Sequence, residues 1–337
     1  MNKNKTQTKS KQNNNKKQQK PKQAKYIADN STLEITIPWS KIEPVYEKTL
    51  KSQAKEMDIE GFRKGKVPAK IAEKKIGLEK LFQATLRKLL PEYYQKAIKD
   101  ADKKPLTSPE FQGISLNKGN DWVVKAYFAE KPEIKLGNYK KAVKQAKKTA
   151  QDKIKKAQQQ KAKQEAEKQA QEEKSDDGQE KKEKAKDEEK EESGLSDKQK
   201  KDITIQTIFE KLIELTEPKI PELLVKQQTQ REIKNLKQRL SQLKVELEDY
   251  LKSQNLSEQQ MVSRMAYSSL NQLQVEFLME AIAEQEEVEV EQKEVEERIE
   301  QVEDEETQEK MRQDESYQNY LKSVIKKQKI MDRLLDL

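Results

Sequence analysis

"IEGFRKGKVPAKI", residues 59–71, sets two glycines, a phenylalanine, a proline and four basic residues inside one short stretch. Core aromatics do not sit beside Arg and Lys between glycines. Three readings compete for it. As a phosphate loop it fails: the Walker pattern needs four residues between its glycine and the GK pair, then Ser or Thr for magnesium. Here Gly61 and Gly65 enclose three residues, and Val67 follows Lys66. The second reading is a solvated basic turn whose Phe62 tucks back on its own domain. The third is a recognition tip, where Arg63 and Lys64 meet carboxylates or phosphates and Phe62 enters an apolar or stacking niche.

The flanks place this turn in a small α+β domain. Upstream, "STLEITIP" alternates Leu33, Ile35 and Ile37 with Thr32, Glu34 and Thr36, a half-buried strand. A helix follows, with Trp39, Ile42, Tyr46, Leu50 and Met57 at helical spacing and Ser40 and Glu43 as a candidate capping box. Downstream, Pro68 opens a short helix through Ile76, and Gly77 ends it. A longer helix over 78–100 aligns Phe82, Leu86, Leu89, Leu90, Tyr93 and Ala97. Strands follow at Phe111–Leu116 and at Trp122–Phe128, where alternate residues are apolar. The expected module, 26–139, is a sheet covered by helices on one side.

Residues 140–196 change character. They are Lys, Glu, Gln and Ala, with no aromatic between Tyr139 and Phe209. Val143, Ala146, Ala150, Ile154 and Ala157 keep a weak helical spacing, which "SDDG" at 175–178 interrupts. Two charged helices and a linker both fit; Ala, Lys, Glu and Gln favour helix. "SDDG" fails the calcium-loop pattern. From 197 to 337 the pattern is all helical. Ile205, Ile208, Phe209 and Leu212 lead to a break at "EPKIPELL". The next helix is expected to carry Ile233, Leu236, Leu240, Leu243, Leu247 and Tyr250 as one seam, pairing within the chain or between chains. Helices over 257–285 and 315–337 complete the region. Its methionines, Met261, Met265, Met279, Met311 and Met331, read as helix core or as adaptable contacts for unfolded chains. Such helices leave apolar face exposed, the surface a cradle would use. Acidic 284–315 reads as a solvated face.

Bulk composition excludes much chemistry. Of 337 residues, 39% are charged and 32% hydrophobic, too polar for one large core. With no Cys and no His, disulfides, thiolate nucleophiles, Cys/His zinc sites and Ser-His-Asp triads are out. Lys and Arg outnumber Asp and Glu by 69 to 61, and residues 1–25 carry repeated Lys with no acid. That tail is expected to be disordered, and a polyanion is the natural partner, although a merely solubilising tail fits equally. Neither a secretory signal nor a membrane span is visible, so the expectation is a cytoplasmic protein without membrane partners.

The unbroken octapeptide GFRKGKVP, between two helices of a small α+β domain, resembles the signature of trigger factor, the bacterial ribosome-associated chaperone. "KPEIKLGNYK" (131–140) resembles that family's exit from its N-terminal domain, and "EPKIPELLVKQQTQREI" (217–233) its helical arm. The resemblance implies docking at the nascent-chain exit of the large ribosomal subunit, on protein and RNA. Phe62, Arg63 and Lys64 would make the central contacts, Gly61 and Gly65 would shape the loop, and Lys66 and Pro68 complete the motif. It implies an ATP-independent holdase for unfolded nascent polypeptides, with no cofactor and no metal. A monomer–dimer equilibrium off the ribosome stays open. The family's prolyl isomerase domain, about a hundred residues with an aromatic-lined pocket, has no counterpart in aromatic-free 140–196. The chain therefore resembles a trigger factor without isomerase activity. A coiled-coil RNA-binding structural protein is the rival reading.

Overall fold

A computed structural model describes residues 25–60, 62–63, 66–172 and 195–337. The tail through residue 24, Gly61, Lys64, Gly65 and 173–194 with "SDDG" lie outside the described residues. The chain starts with a two-residue strand β1 (Ile27–Ala28) and continues into β2 (Ser31–Ile37). Three helices follow: α1 (Trp39–Glu56), α2 (Ala69–Ile76) and α3 (Leu78–Asp100). Strands β3 (Glu110–Ser115) and β4 (Trp122–Phe128) complete an antiparallel sheet in the order β2-β4-β3.

Alternation explains the sheet. β4 buries Trp122, Val124, Ala126 and Phe128, and β2 buries Ile35 opposite Val124 and Ile37 opposite Trp122. Onto this face pack Ile42, Tyr46 and Leu50 of α1 and Leu81, Phe82, Leu86, Leu89 and Leu90 of α3. Phe82 meets Trp122 at a ring separation of 4.8 Å and Tyr46 at 5.9 Å, so aromatic rings fill the centre. Gly77 joins α2 to α3 with φ of 88°, a backbone angle that L side chains rarely adopt.

The expected Ser40/Glu43 capping box does not form. α1 starts two residues earlier, with Pro38 at its N-cap and no side-chain cap. The Trp39 N–H instead donates to Asp121 Oδ1 at 2.7 Å, tying the helix start to the β4 end of the sheet. Packing has overridden local capping: Trp39 lies 6.3 Å from both Trp122 and Tyr46.

The rest is helical: α4 (Tyr139–Glu172), α5 (Asp197–Thr216), α6 (Glu222–Gln242), α7 (Leu247–Ser253), α8 (Glu258–Gln285), α9 (Gln292–Glu300), α10 (Glu305–Gln313) and α11 (Glu315–Asp336). α4 packs along α5. Its stripe of Tyr139, Ala142, Val143 and Ala146 joins Ile208 and Leu212 of α5, Leu278 and Ile282 of α8, and Ile330 and Leu334 of α11 in one core. The charged stretch therefore enters the helical body through its small residues. A further link is β1, which pairs in parallel with β5 (Ile220–Pro221), Ile27 opposite Ile220. Ile27 and Ile134 pack with Ile220, Leu270, Leu273 and Phe277.

The single seam over 233–250 needs correction. α6 ends at Gln242, Lys244 takes a left-handed φ of 56°, and α7 starts afresh at Leu247. Leu236 and Leu240 then meet Leu251 and Met261 of the same chain. The turn folds these side chains onto each other, whereas a straight helix would carry Tyr250 and Leu251 away. Leu243 is left 72% exposed at the corner.

Candidate functional site

The quoted turn projects between α1 and α2. Within it the Phe62 N–H donates to the Ile59 carbonyl at 3.0 Å, and the Lys66 N–H to the Arg63 carbonyl at 2.9 Å. Ile59 and Val67, on either side, belong to the module's core. Phe62 does not; the residue is 37% exposed. Arg63 and Lys66 are exposed beside it, and Pro68 is the N-cap of α2. The structure thus brings Phe62, Arg63, Lys66 and Pro68 together on one short loop. An aromatic ring flanked by cations is suited to a surface that offers both apolar and anionic groups.

The base of this loop is fixed by groups that sequence reasoning missed. Ala72 of α2 is fully buried, and Glu73 beside it is a junction. The Tyr46 hydroxyl of α1 donates to Glu73 Oε1 at 2.7 Å. Lys118, from the turn between β3 and β4, donates to the same oxygen and stands 5.3 Å from the Tyr46 ring centre. These donors, Lys118 first, hold the Glu73 carboxyl below its ordinary pKa against the opposing pull of burial. Burial and the adjacent carboxylate push the Tyr46 hydroxyl well above its own. At neutral pH, a phenol and an ammonium therefore share one carboxylate, and three elements meet at α2. Glu73 lies 27 and 45 residues from its partners, and no periodicity links them.

A second such junction sits where the chain enters the helical body. Tyr139 donates to Glu286 Oε1 at 2.5 Å, and Lys140 pairs with the same oxygen at 2.8 Å. Lys140 first, then Tyr139, holds the Glu286 carboxyl below its ordinary pKa.

The helical body exposes apolar side chains in scattered places: Leu243 and Val245 at the α6–α7 corner, Val262 and Tyr267 on α8, and Tyr320 on α11. The methionines are not among them. Met261 and Met279 are buried, and Met265, Met311 and Met331 are half-buried, so they serve as helix packing. Acidic 284–315 forms α9 and α10 around a small core of Val295, Ile299 and Leu321. Among the described residues, no group of three or more acidic side chains is placed to hold a metal ion. None of their helices is long and apolar enough to cross a membrane.

Comparison with known proteins agrees with this layout. The family model for bacterial trigger factor protein matches residues 20–166, and that for the bacterial trigger factor C-terminus matches 179–336. Only residues 167–178 lie between the two matches. The trigger factor of Streptococcus sanguinis (strain SK36) is 42% identical over 108 residues, 32% of this chain and 25% of that protein. The trigger factor of Streptococcus pneumoniae (strain Hungary19A-6) is 39% identical over 112 residues, 33% of this chain and 26% of that one. These matches thus span about a quarter of each curated relative's length. A solved structure reported as "Promiscuous Substrate Recognition in Folding and Assembly Activities of the Trigger Factor Chaperone" aligns with 90% of this chain and 96% of its own. Its TM-score is 0.51 at 15% sequence identity, a likeness of fold.

Proposed function

The chain belongs to the trigger factor family, lacking that family's prolyl isomerase domain, and from that premise we propose that it is an ATP-independent holdase of the ribosomal nascent-chain exit. The tip of Phe62, Arg63, Lys64, Gly61, Gly65, Lys66 and Pro68 would dock on the large subunit, on protein and RNA near the exit. The helical body would shield apolar segments of unfolded polypeptides until enough chain has emerged to fold. The division that goes with this reading is a basic tail to residue 25, a docking module over 26–139, a charged segment over 140–196 where the isomerase domain would stand, and a holding body over 197–337. The cytoplasm is the compartment it requires.

The observation that carries the reading is the exposed Phe62 beside the exposed Arg63 and Lys66, on a loop whose base is clamped at Glu73. Holding of this kind needs no covalent step and no cofactor. Affinity for each segment must be modest and spread over several contacts, because clients leave unaided. The rival, an RNA-binding protein dimerised through 233–250, has less support, since Leu236 and Leu240 find their partners within the chain.

Co-sedimentation with purified ribosomes tests the proposal. The wild type is expected to pellet with large subunits, and Phe62/Arg63/Lys64→Ala to stay in solution across a salt series. Equal pelleting of both, abolished by salt, would assign association to the basic tail and bring the rival forward. A proline-peptide isomerisation assay is expected to run at the uncatalysed rate; clear acceleration would contradict the non-enzymatic reading.

A further inference from the structure

Among the described residues, the sheet of the docking module has an unpaired margin. β3 is the outermost strand of β2-β4-β3, so one row of its backbone N–H and C=O groups faces away from β4. Native sheets guard such margins with lysine, proline, charge or bulges; β3 has Pro109 ahead of it and one bulge, but no lysine. Here Glu110 is the only charged residue between Lys104 and Lys118, in a chain that is 39% charged. Lys226 of α6 neutralises it at 2.6 Å. Around the strand, Leu106, Phe111 and Ile114 are 52%, 40% and 55% exposed. α6 reaches the start of β3, through Lys226 on Glu110 and Gln227 on the carbonyl of Ser108 just ahead of it at 2.9 Å.

We infer that this edge binds an extended, apolar segment of an unfolded polypeptide as a fourth strand, a client site in the docking module itself. The inference rests on the holding function proposed above. Backbone pairing reads no sequence, while alternate side chains fall on the apolar flank. β3 itself carries no cation, which argues against a nucleic acid. A second copy of the chain is the other candidate occupant. The ladder is irregular between Gly113 and Ser115, a bulge that bends the strand. Two rigid edges with the same bulge cannot continue one ladder through it; a flexible peptide adjusts its own backbone to the bend.

The test uses the full chain and two probes: a peptide of alternating valine and threonine, and the same peptide N-methylated throughout its backbone. Because the chain has no cysteine, Ile114→Cys provides a single labelling position for an environment-sensitive fluorophore. The fluorophore is expected to respond saturably to the first peptide and not to the N-methylated one. Ile114→Lys is expected to weaken binding of the first peptide about tenfold, with unchanged thermal stability because the site is exposed. If both peptides bind alike, Ile114→Lys has no effect and Leu243→Ser or Tyr267→Ser weakens binding, the edge inference fails while the holding function stands. If no variant, and not the wild type, binds either peptide or an unfolded protein, both fall. If Ile114→Cys instead forms disulfide-linked pairs of the whole chain that the peptide does not suppress, the occupant is a second copy and the inference is overturned.

Discussion

At the scale of single residues, exposure separates what holds the fold from what is free to bind. Trp122 is fully buried against Trp39 and Phe82, so Trp122→Ala is expected to cost about 3–5 kcal/mol, read as a loss in urea-unfolding free energy. Phe62 is outside the core, so Phe62→Ala is expected to leave stability within about 0.5 kcal/mol while ribosome pelleting falls. Equal destabilisation by both changes would place the Phe62 ring in the core. Glu73 adds a pH dependence. Its folded pKa lies below the ordinary 4.5, so its stabilisation is complete above that value and fades as the pH falls through the depressed one. Glu73→Gln is expected to cost roughly 1 kcal/mol at pH 7, the partly exposed Lys118 limiting the loss. Between pH 5 and pH 3 the variant should lose less stability than the wild type, and parallel melting curves over that range would remove Glu73 from the account. The residues with periodicity behind them, Ile35, Phe82 and Trp122, were legible in the sequence. Glu73 and Lys118 were not, because a three-way polar junction has no spacing signature.

At the scale of elements, the helix over 78–100 and the strand over 122–128 stand where their patterns put them, since local periodicity and burial agree there. The failures have one cause. Ser40 and Leu243–Glu246 were read from local signals, and tertiary packing overruled both: Trp39 had to reach Trp122, and Leu251 had to reach Leu236. α4 is the opposite case. The sequence left charged helices and a linker both open there, and its weak stripe of Val143, Ala146 and Ala150 is buried in a helix contact. Alanine there permits close approach of α5, so Ala146→Glu places a carboxylate against the apolar side chains of that core. A loss of about 2 kcal/mol or more is expected, with hydrogen-exchange protection falling in α5 and α11 and less in the sheet module. Unchanged protection in α5 would mean that α4 is an appended spacer and not part of the body.

At the scale of the whole molecule, the chain distributes its charge unevenly, and the two ends of that distribution make different demands on salt. Residues 1–25 carry lysines without acids, while 284–315 is strongly acidic. If the tail supplies phosphate contacts, each releases condensed counterions, and the logarithm of ribosome affinity falls with the logarithm of salt at a slope set by their number. Removing residues 1–24 is then expected to flatten that slope. Phe62→Ala should lower affinity at every salt concentration and leave the slope intact, because an aromatic anchor releases no ions. The experiment therefore separates the two attachments by the shape of one plot. A truncated chain with the full slope would assign the phosphate contacts to Arg63, Lys66 and their neighbours on the tip, and would leave the tail a solubilising one. A flat line for the truncated chain, with Phe62→Ala unchanged from wild type, would leave the tip without a role in docking.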